Sequence, residues 1–531
     1  MKILDCTFRD GGYYNNWNFN NKIIQEYFYQ MDKLNIKYIE LGFRFIDKNK
    51  IKGPTAYTTE NFIKKFYIPK NLFIGVMINA SDFFFNKTFL LKNVKKLFPN
   101  IETSKIKFVR IACHYNEIFF LKECIDWFNS KKISVFINIM QISEFKKNNI
   151  KLVSDYFNSK KIRALYLADS LGSLNPKSLT KIIKLFKKHY HHDLGFHAHN
   201  NLGLAKKNAL TANKLGVDWI DSTVMGMGRG AGNLVTEEII KNINKFKSKK
   251  FIIKKIINNY FVSLKKKYNW GTNKYYKIGA KYKIHPTYIQ NILTDSRYKK
   301  TDYLKIIDSF KKTESKKFDP YKIYQCYFFK AKNFSTNLIP SNILKGRDIL
   351  IIGPGDSVLK LKNKIENFIV KNKLFVLGLN TVSSIANIFF DLRIACHPLR
   401  IISDISFYNQ DKTKLVMPYT SIKKFLKKNK IFNSKKYYDY GLKLGHGKKV
   451  FIKDNYCILP YPLAIAYALS IAIQGKVNKI YVAGLDGYKP DNSSKDNTDE
   501  ILKIFKYSYF NRKITSLTPT NYKSLFKKII L

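Results

Sequence analysis

ALYLADSLGSLNPKSLTKIIKLFKKHYHHDLGFHAH (164–199) contains the strand–helix–strand pattern that decides the fold. It begins with a short apolar run, ALYLADS (164–170), and continues with PKSLTKIIKLFKKHY (176–190), an amphipathic stretch of helical character. It ends with a second strand-like run, LGFHAH (194–199). Because a strand, a helix and a strand in this order imply parallel pairing with a right-handed crossover, the segment predicts a βαβ unit.

The same alternation extends over the first 226 residues, in which eight strand-like runs are separated by amphipathic stretches. Eight such units predict an N-terminal (β/α)8 TIM barrel of the α/β class. A barrel of this kind has its active site at the C-terminal ends of its strands. The runs are KILDCTFRD (2–10), YIELGFRF (38–45), LFIGVMIN (72–79), IKFVRIACH (106–114), SVFINIMQI (134–142), ALYLADS (164–170), LGFHAH (194–199) and WIDSTVMG (219–226).

Polar side chains lie at the ends of these runs, where the active site is expected. His197 and His199 are two residues apart, so on an extended strand they face the same side. Imidazoles bind divalent transition metals, and a carboxylate from another strand end would complete the site. Asp10 ends the first run, which neighbours the eighth strand in a closed barrel. We therefore predict a metal site, the alternative being a hydrogen-bonded histidine pair.

Five motifs of this region resemble a known family, the metal-dependent aldolase and acyl-CoA lyase/synthase barrels. That family includes hydroxymethylglutaryl-CoA lyase, isopropylmalate synthase and 4-hydroxy-2-oxovalerate aldolase, and the resemblance is closest to the last of these. It covers roughly residues 1–300, in the order and spacing of the family. The motifs are CTFRDGG (6–12), VRIACHYNE (109–117), LADSLGSLNP (167–176), GFHAHNNLGLA (195–205) and MGMGRGAGN (225–233).

The resemblance implies roles for the residues at the strand ends. Asp10, His197 and His199 would bind Mn²⁺ or Mg²⁺, with Asn233 as a candidate fourth ligand. The ion would chelate a 2-oxo acid or its enolate, and Arg9 would stabilise the same enolate oxygen. The implied reaction makes or breaks a carbon–carbon bond between a pyruvate-type 2-oxo acid and an aldehyde.

The identity of the catalytic base is left open, because the chain departs from its relatives there. The hydroxyoxovalerate aldolases carry a histidine three residues after the metal aspartate, where this chain has Tyr13. An ordinary tyrosine pKa of about 10 makes a poor base, and His114 or a water molecule could substitute. The lyases carry a cysteine in the loop corresponding to MGMGRGAGN (225–233), which has none; this disfavours acyl-CoA lyase chemistry.

A helical extension follows the barrel over residues 265–300. In the hydroxyoxovalerate aldolases such an extension supplies a tyrosine to the site, and Tyr288 is our candidate for a similar position. The alternative is that this residue packs the extension below the barrel. The barrel with its extension is predicted to span residues 1–300, followed by a helical linker over 301–345.

The second half of the chain predicts a Rossmann-like α/β domain over residues 346–531. It begins with GRDILIIGPGDSV (346–358), where an apolar strand, a glycine turn and a helix follow one another. Free backbone amides at such a turn can bind phosphate, the alternative being a tight βα turn. The predicted ligand-binding residues are Gly353, Gly355 and Ser357, with Asn380 and Asp486 after later strands on the same edge of the sheet.

Residues 345–500 loosely resemble the nucleotide-sugar-binding halves of bacterial sialyltransferases and the pterin-pyrophosphokinase-like domain of flagellin glycosylation factors. The resemblance implies a nucleotide-sugar or phosphorylated ligand and a place in surface-glycan or sugar-acid synthesis. His397 and His446 are candidate transferase bases. The alternative function is therefore a glycosyltransferase-like protein with a degenerate barrel.

The composition gives a second alternative. Lys and Arg number 95 against 38 Asp and Glu, a net charge of +57, which taken alone favours a basic nucleic-acid-binding protein. The lysines are spread along the whole chain beside many Asn, Ile, Phe and Tyr, which share AT-rich codons, so we favour genome base composition as the cause. No signal segment, bilayer-length apolar run or CxxC pair is found; a cytoplasmic homo-oligomer with reduced thiols is expected.

Overall fold

The computed structural model divides into two compact units, Met1–Phe318 and Asp319–Leu531. This differs from the predicted linker over 301–345. The helix Lys300–Phe310 packs on the extension of the first unit, and Pro340–Leu344 belongs to the second. The structure describes the chain except for residues 47–51, 86–87, 243–250, 312, 330, 332, 335, 428–436, 446–448, 488–493, 510–513, 523–526 and 529–530.

The first unit is the predicted TIM barrel. Eight parallel strands close in the order β1-β8-β7-β6-β5-β4-β3-β2. The first strand ends at Asp5 rather than at residue 10, because a helix begins at Thr7. The strands are β1 (Lys2–Asp5), β2 (Tyr38–Phe43), β3 (Phe73–Asn79), β4 (Ile106–Cys113), β5 (Ser134–Ile139), β6 (Ala164–Ala168), β7 (Leu194–His197) and β8 (Trp219–Ser222).

Helices connect these strands and continue beyond the last one as the predicted extension. Their apolar faces pack on the outside of the barrel, in the largest core of the protein. The helices of the first unit are α1 (Thr7–Asn15), α2 (Asn21–Leu34), α3 (Glu60–Ile63), α4 (Leu91–Leu97), α5 (Lys122–Ser130), α6 (Lys147–Asn158), α7 (Pro176–His189), α8 (Ala205–Lys214), α9 (Thr236–Ile239), α10 (Lys254–Ile256), α11 (Val262–Tyr268), α12 (Lys274–Lys281), α13 (Pro286–Thr294) and α14 (Lys300–Phe310).

Aromatic rings fill the interior of the barrel near the N-terminal ends of the strands. Trp219 lies at the centre of this aromatic floor, with ring centroids 4.6 Å from Tyr38 and 5.2 Å from Phe136. Phe108 packs on Phe136 at 5.2 Å. Side chains alternate along a strand, so the residues two positions further on also face the interior, one layer closer to the C-terminal ends.

That next layer is charged. Glu40, Arg110 and Asp221 each lie two residues after an aromatic residue of the floor, and all three are buried. An interior of bulky apolar side chains is typical of TIM barrels, so three buried charges in one layer require partners. The active-site end of the barrel lies directly above them.

The second unit contains an open sheet in which every adjacent pair of strands is parallel, in the order β13-β12-β11-β10-β9-β17-β18-β19. The strand order reverses beside β9, which is the switch point at which open α/β sheets bind ligands. The strands are β9 (Asp348–Ile352), β10 (Phe375–Leu379), β11 (Leu392–Ile394), β12 (Lys414–Met417), β13 (Tyr437–Asp439), β17 (Lys479–Ala483), β18 (Thr515–Ser516) and β19 (Lys527–Lys528), with β14 (Gly441–Leu444), β15 (Phe451–Ile452) and β16 (Tyr456–Leu459) in a separate small sheet.

The helices of this unit connect the strands of the large sheet. They are α15 (Pro340–Leu344), α16 (Ser357–Lys360), α17 (Lys362–Lys371), α18 (Pro398–Ser403), α19 (Ile405–Gln410), α20 (Tyr419–Lys427), α21 (Ala464–Gln474) and α22 (Ser494–Ser508). All six cysteines of the chain are buried and free of disulfides. Within the described residues, none of the helices combines the length and the apolar character needed to cross a bilayer.

Candidate active site

The barrel brings the three predicted metal ligands together. Asp10 lies in the first turn of α1, His197 ends β7, and His199 follows that strand by two residues. Each offers a ligand atom within 4.8 Å of the others, and all three side chains are buried. The sequence predicts Asp10 at a strand end. In the structure Asp10 reaches the cluster from helix α1 instead.

Two of the three residues, Asp10 and His197, also belong to a closed ring of buried titratable side chains. We call this the charge ring; it consists of Asp10, Arg9, Glu40, Arg110, Asp221 and His197. Each member contacts the next, and His197 returns to Asp10. The ring joins the charged layer of the barrel interior to the metal cluster above it.

Arginines form one half of the ring. Arg110 donates to both oxygens of Glu40, from Nε at 2.8 Å and from Nη2 at 2.7 Å. Arg9 Nε donates to Glu40 Oε2 at 2.6 Å, and Arg9 Nη1 donates to Asp10 Oδ1 at 2.7 Å. Two arginines thus share one carboxylate, and the second of them holds Asp10 in place.

His197 closes the other half. Arg110 Nη1 donates to Asp221 Oδ2 at 2.6 Å, and His197 Nδ1 lies 2.7 Å from the same oxygen. An ionised Asp221 can only accept, so Nδ1 donates to it and Nε2 is the ring nitrogen that remains for a ligand. That Nε2 faces Asp10 Oδ2 at 3.7 Å. A carboxylate that orients a metal-ligating histidine in this way is a common feature of metal sites.

The ionisation of the ring follows from its contacts. Burial raises the pKa of Asp10, Glu40 and Asp221, but the neighbouring arginines outweigh it and each carboxyl has a lowered pKa. Burial alone would lower the pKa of Arg9 and Arg110, yet the carboxylates raise it. Counting only the carboxylates and the guanidinium groups, the ring holds three negative and two positive charges, so one negative charge is not compensated by an arginine.

His199 and Asn233 complete the polar lining. Burial, the largest cause, holds the pKa of His199 well below its usual range, so the imidazole is neutral at pH 7. Asn233 Nδ2 donates to Asp10 Oδ2. Within the described part of the chain, His199 Nδ1 and Asn233 Oδ1 are buried without a hydrogen-bond partner. Such orphaned groups beside an uncompensated charge fit a site for a cation.

The glycine-rich loop delivers Asn233 to this position. Asn233 pairs with His199 in a single β-bridge, and its amide donates to Gly226 O at 3.1 Å. Gly232 has a φ of +79°, and a Cβ there would lie 2.1 Å from Gly226 O. A Cβ at Gly228 would lie 2.6 Å from Asn233 Nδ2. These glycines are needed because the loop and the amide approach one another so closely.

Arg9 has one donor left over. Its Nε and Nη1 are committed to Glu40 and Asp10, whereas Nη2 is buried and has no partner among the described residues. The position beside the metal cluster agrees with the predicted role of Arg9 toward an enolate oxygen.

The candidate bases differ in their protonation. Burial, the largest cause, raises the pKa of Tyr13, so this residue keeps its proton. His114 follows β4, and burial together with the charges of Lys317 and Arg229 lowers its pKa. A neutral histidine at pH 7 can accept a proton, and a buried tyrosine cannot.

Tyr288 lies on α13, with its ring 4.5 Å from Phe310 and 5.0 Å from Phe318. Its hydroxyl donates to Lys317 O at 3.1 Å. These contacts are the helix packing that was the alternative interpretation, and a catalytic role for Tyr288 stays a prediction. Gln290 of the same helix does reach the site loop, accepting from Gly230 N at 2.9 Å.

The structure does not have the phosphate-binding turn predicted in the second unit, because the backbone amides of that turn already donate hydrogen bonds within the protein. Gly353 N donates to Ala483 O at 2.8 Å, Gly355 N to Gly484 O at 2.9 Å, and Ser357 N to Asp486 Oδ2 at 3.0 Å. The Ser357 hydroxyl donates to the same carboxylate.

Close packing therefore accounts for Gly355. A Cβ there would lie 2.4 Å from Cγ of Asp486. Asn380 lies just beyond β10 with a φ of +53°, and His397 precedes α18. His446 lies outside the described residues. A nucleotide or phosphorylated ligand of this unit stays a prediction.

Sequence analysis gave no role to Glu40, Arg110 and Asp221. A signal was present, since each is a charged residue at an inward position of an apolar strand. Arg229 was also missed; its signal is a single charge inside a glycine-rich loop.

We predict that Arg110→Met destabilises the protein by about 3–5 kcal/mol, the loss typical when one partner of a buried ion pair is removed. Glu40 and Asp221 would stay buried without their main counter-charge. Denaturant unfolding measures the change. Lys107→Met, an exposed position on β4, the strand that carries Arg110, is the control and should change stability by less than about 0.5 kcal/mol. Equal losses in the two variants would contradict the structural role of the ring.

Comparison with known proteins agrees with this geometry. Residues 1–259 match the HMGL-like family model. The chain is 25% identical to the oxaloacetate decarboxylase of Mycobacterium tuberculosis, over 46% of this chain and 70% of the relative. It is 27% identical to a 4-hydroxy-2-oxovalerate aldolase of Carboxydothermus hydrogenoformans, over 46% and 71%.

Other 4-hydroxy-2-oxovalerate aldolases match at 30–41% identity, but over only 24–41% of their own length. Among solved structures, the N-terminal domain of a candidate aldolase from Bacteroides vulgatus is 31% identical, with 56% of this chain and 97% of that one covered and a TM-score of 0.48. Residues 1–259, which include the barrel strands and the candidate metal ligands, are therefore similar to the HMGL-like family.

Proposed function

We propose that the barrel is a divalent-metal-dependent aldolase of the carbon–carbon lyase class. It makes or breaks the bond between a pyruvate-type 2-oxo acid and an aldehyde, in the manner of a 4-hydroxy-2-oxovalerate aldolase. The family match and the named relatives support the class of reaction. That the substrate is a 4-hydroxy-2-oxo acid is proposed from the likeness to these relatives.

One observation carries the proposal. His197 Nε2 and Asp10 Oδ2 face each other at 3.7 Å, and the ligand atoms of Asp10, His197 and His199 all lie within 4.8 Å of one another. Buried carboxylates are paired with other groups or coordinate metals, so three buried potential ligands around one point favour a cation there. The uncompensated negative charge of the ring and the neutral imidazole of His199 favour the same conclusion. A degenerate barrel would have no reason to keep this arrangement.

Asp10, His197 and His199 would hold the ion, with Asn233 as a fourth ligand. The carboxylate and amide oxygens suit Mn²⁺ or Mg²⁺, and the two imidazoles favour a transition metal, so Mn²⁺ fits the set better than Mg²⁺ does. When bound, the ion would act as a Lewis acid on the oxygens of a 2-oxo acid.

Arg9 supplies the second charge to the reacting oxygen. In aldol cleavage the hydroxyl proton at C4 leaves, the C3–C4 bond breaks, and its electron pair moves into the enolate of the 2-oxo acid. Negative charge then grows on the C2 oxygen. The free Nη2 of Arg9 can donate to that oxygen, because Glu40 and Asp10 hold the rest of the guanidinium fixed. Donors that need no rearrangement lower the barrier most.

His114 is our candidate for the group that takes the hydroxyl proton. The lowered pKa of His114 keeps the imidazole neutral at pH 7. The charge of Arg229 contributes to lowering the pKa of both His114 and Asp10, so His114 lies near the metal cluster. Tyr13, with a raised pKa, would instead donate a hydrogen bond to the substrate. We further propose that the protein is a cytoplasmic homo-oligomer and that it acts in surface-glycan or sugar-acid synthesis. Its second unit would bind a nucleotide-sugar or phosphorylated ligand.

The function is tested by following pyruvate release from a panel of 4-hydroxy-2-oxo acids, with and without Mn²⁺. We expect release that requires the metal and is abolished by a chelator. Metal-independent release, or no release and no condensation with any aldehyde offered, would refute the proposal.

We predict that His199→Asn abolishes Mn²⁺ binding measured by calorimetry, while the wild-type chain binds one ion. The fold should survive, because His199 lies in a loop beyond β7 rather than in the packed layers. His191→Asn, an exposed position, is the matched control and should bind like the wild type. Full stoichiometry in His199→Asn would show that the ion binds elsewhere.

We predict that Arg9→Lys lowers kcat by roughly 10²–10³-fold, the effect of losing one donor to an oxyanion. A lysine keeps the positive charge beside Asp10 and Glu40 but cannot donate in three fixed directions. Mn²⁺ affinity should change far less than turnover. If metal affinity falls as much as kcat does, Arg9 acts only by positioning Asp10.

A further inference from the structure

We propose that Arg229 binds a second anionic group of the substrate, so that the enzyme prefers oxo acids that carry a carboxylate or phosphate at the end distant from the metal. The inference rests on the proposed function and specifies its substrate class.

Arg229 is an arginine without a carboxylate partner. Its guanidinium stacks over the Tyr13 ring at 5.5 Å, and Nη2 makes one long hydrogen bond, 3.4 Å, to Ser170 O. Nε is buried and has no partner in the described part of the chain, where Arg229 also forms no salt bridge. Arg9 and Arg110, by contrast, are each held by two carboxylates.

A half-buried guanidinium with a free donor is costly unless an anion binds it. Its planar fork matches a carboxylate or a phosphate in two-point contact. The contacts with the Tyr13 ring and with Ser170 O position the fork. Arg229 therefore has the geometry of a ligand-binding residue rather than of a structural ion pair.

The position of Arg229 relates it to the metal cluster. Burial raises the pKa of Asp10, and the charge of Arg229 is among those that lower it. After burial, the same charge also lowers the pKa of His114 and of His285. Arg229 thus lies within electrostatic reach both of the metal ligand Asp10 and of His114 and His285.

The loop that carries Arg229 is held rigidly. Tyr14 donates from its hydroxyl to Gly230 O at 2.5 Å, and Gly230 N donates to Gln290 Oε1 at 2.9 Å. Gly230 has a φ of +66°, and a Cβ there would lie 2.8 Å from Pro286 Cβ. Helices α1 and α13 therefore fix the backbone on which the guanidinium sits.

A second cation approaches the same region. Gln141 Nε2 donates to Lys316 O at 2.7 Å, and the Tyr288 hydroxyl donates to Lys317 O. These two bonds attach residues 315–317 to the barrel and to its helical extension. Lys317 is exposed, and its charge acts on His114 and Glu117. Glu117 is committed to the His114 amide at 2.8 Å. Lys317 would thus assist Arg229 with the anion.

The test uses three ligands of equal length that are bound but not cleaved: 2-oxovalerate, 2-oxoglutarate and 2-oxo-4-phosphonobutyrate. Only the distal group differs, being methyl, carboxylate or phosphonate. Affinities are measured by calorimetry on the full-length chain with Mn²⁺. We expect at least one of the anionic ligands to bind roughly 10- to 150-fold more tightly than 2-oxovalerate, the factor for one charged hydrogen bond.

In Arg229→Gln that ratio should fall most of the way toward one, because only Lys317 then remains to meet the anion, and Arg229→Lys should restore part of it. Arg163→Gln, an arginine at the opposite end of the barrel, should keep the wild-type ratio. The better of the two anionic ligands identifies the distal group as carboxylate or phosphate.

Equal affinity for all three ligands in the wild type, or a ratio that survives in Arg229→Gln, would overturn the anion subsite and leave the proposed function standing. Failure of all three ligands to bind would contradict the proposed function, and the subsite with it.

Discussion

Arg110 and Glu40 form a two-point ion pair inside the barrel, where both side chains are 0% exposed. Removing two charges from water is costly, and an apolar pair of the same volume would often be more stable. The pair is instead extended by Arg9, Asp10, Asp221 and His197 into a ring that holds the metal-ligand atoms at fixed positions. The site depends on this ring because Arg9 holds Asp10 and Asp221 orients His197, while Asn233 adds one further hydrogen bond to Asp10.

The fold was predictable because the alternation of strands and helices is local in sequence. The strands, and the shared face of His197 and His199, follow from the two-residue side-chain period of a strand. The helices between the strands follow from the 3.6-residue period of their apolar positions. The charge ring was not predictable, because its contacts join residues 31, 70 and 111 positions apart, on helix α1 and on three different strands. A helix that begins at Thr7 also moved Asp10 off the strand end without moving it out of the site, since α1 starts directly above β1.

The second unit shows where a motif is ambiguous. Strand, glycine turn and helix in GRDILIIGPGDSV (346–358) fit both a phosphate site and a close approach of chain to chain. The structure has the second arrangement, with Asp486 accepting from the Ser357 amide at the place where a ligand was expected. A partner 129 residues away cannot be identified from local sequence. The strand order, with its reversal beside β9, was the part that local patterns could predict.

The most direct test of the central claim is a crystal structure of the protein grown with Mn²⁺, with anomalous diffraction recorded at the manganese edge. The account predicts one strong peak bounded by Asp10, His197 and His199, with Asp221 still bonded to His197 Nδ1. A fully occupied manganese site elsewhere, with no density between His197 Nε2 and Asp10, would contradict it.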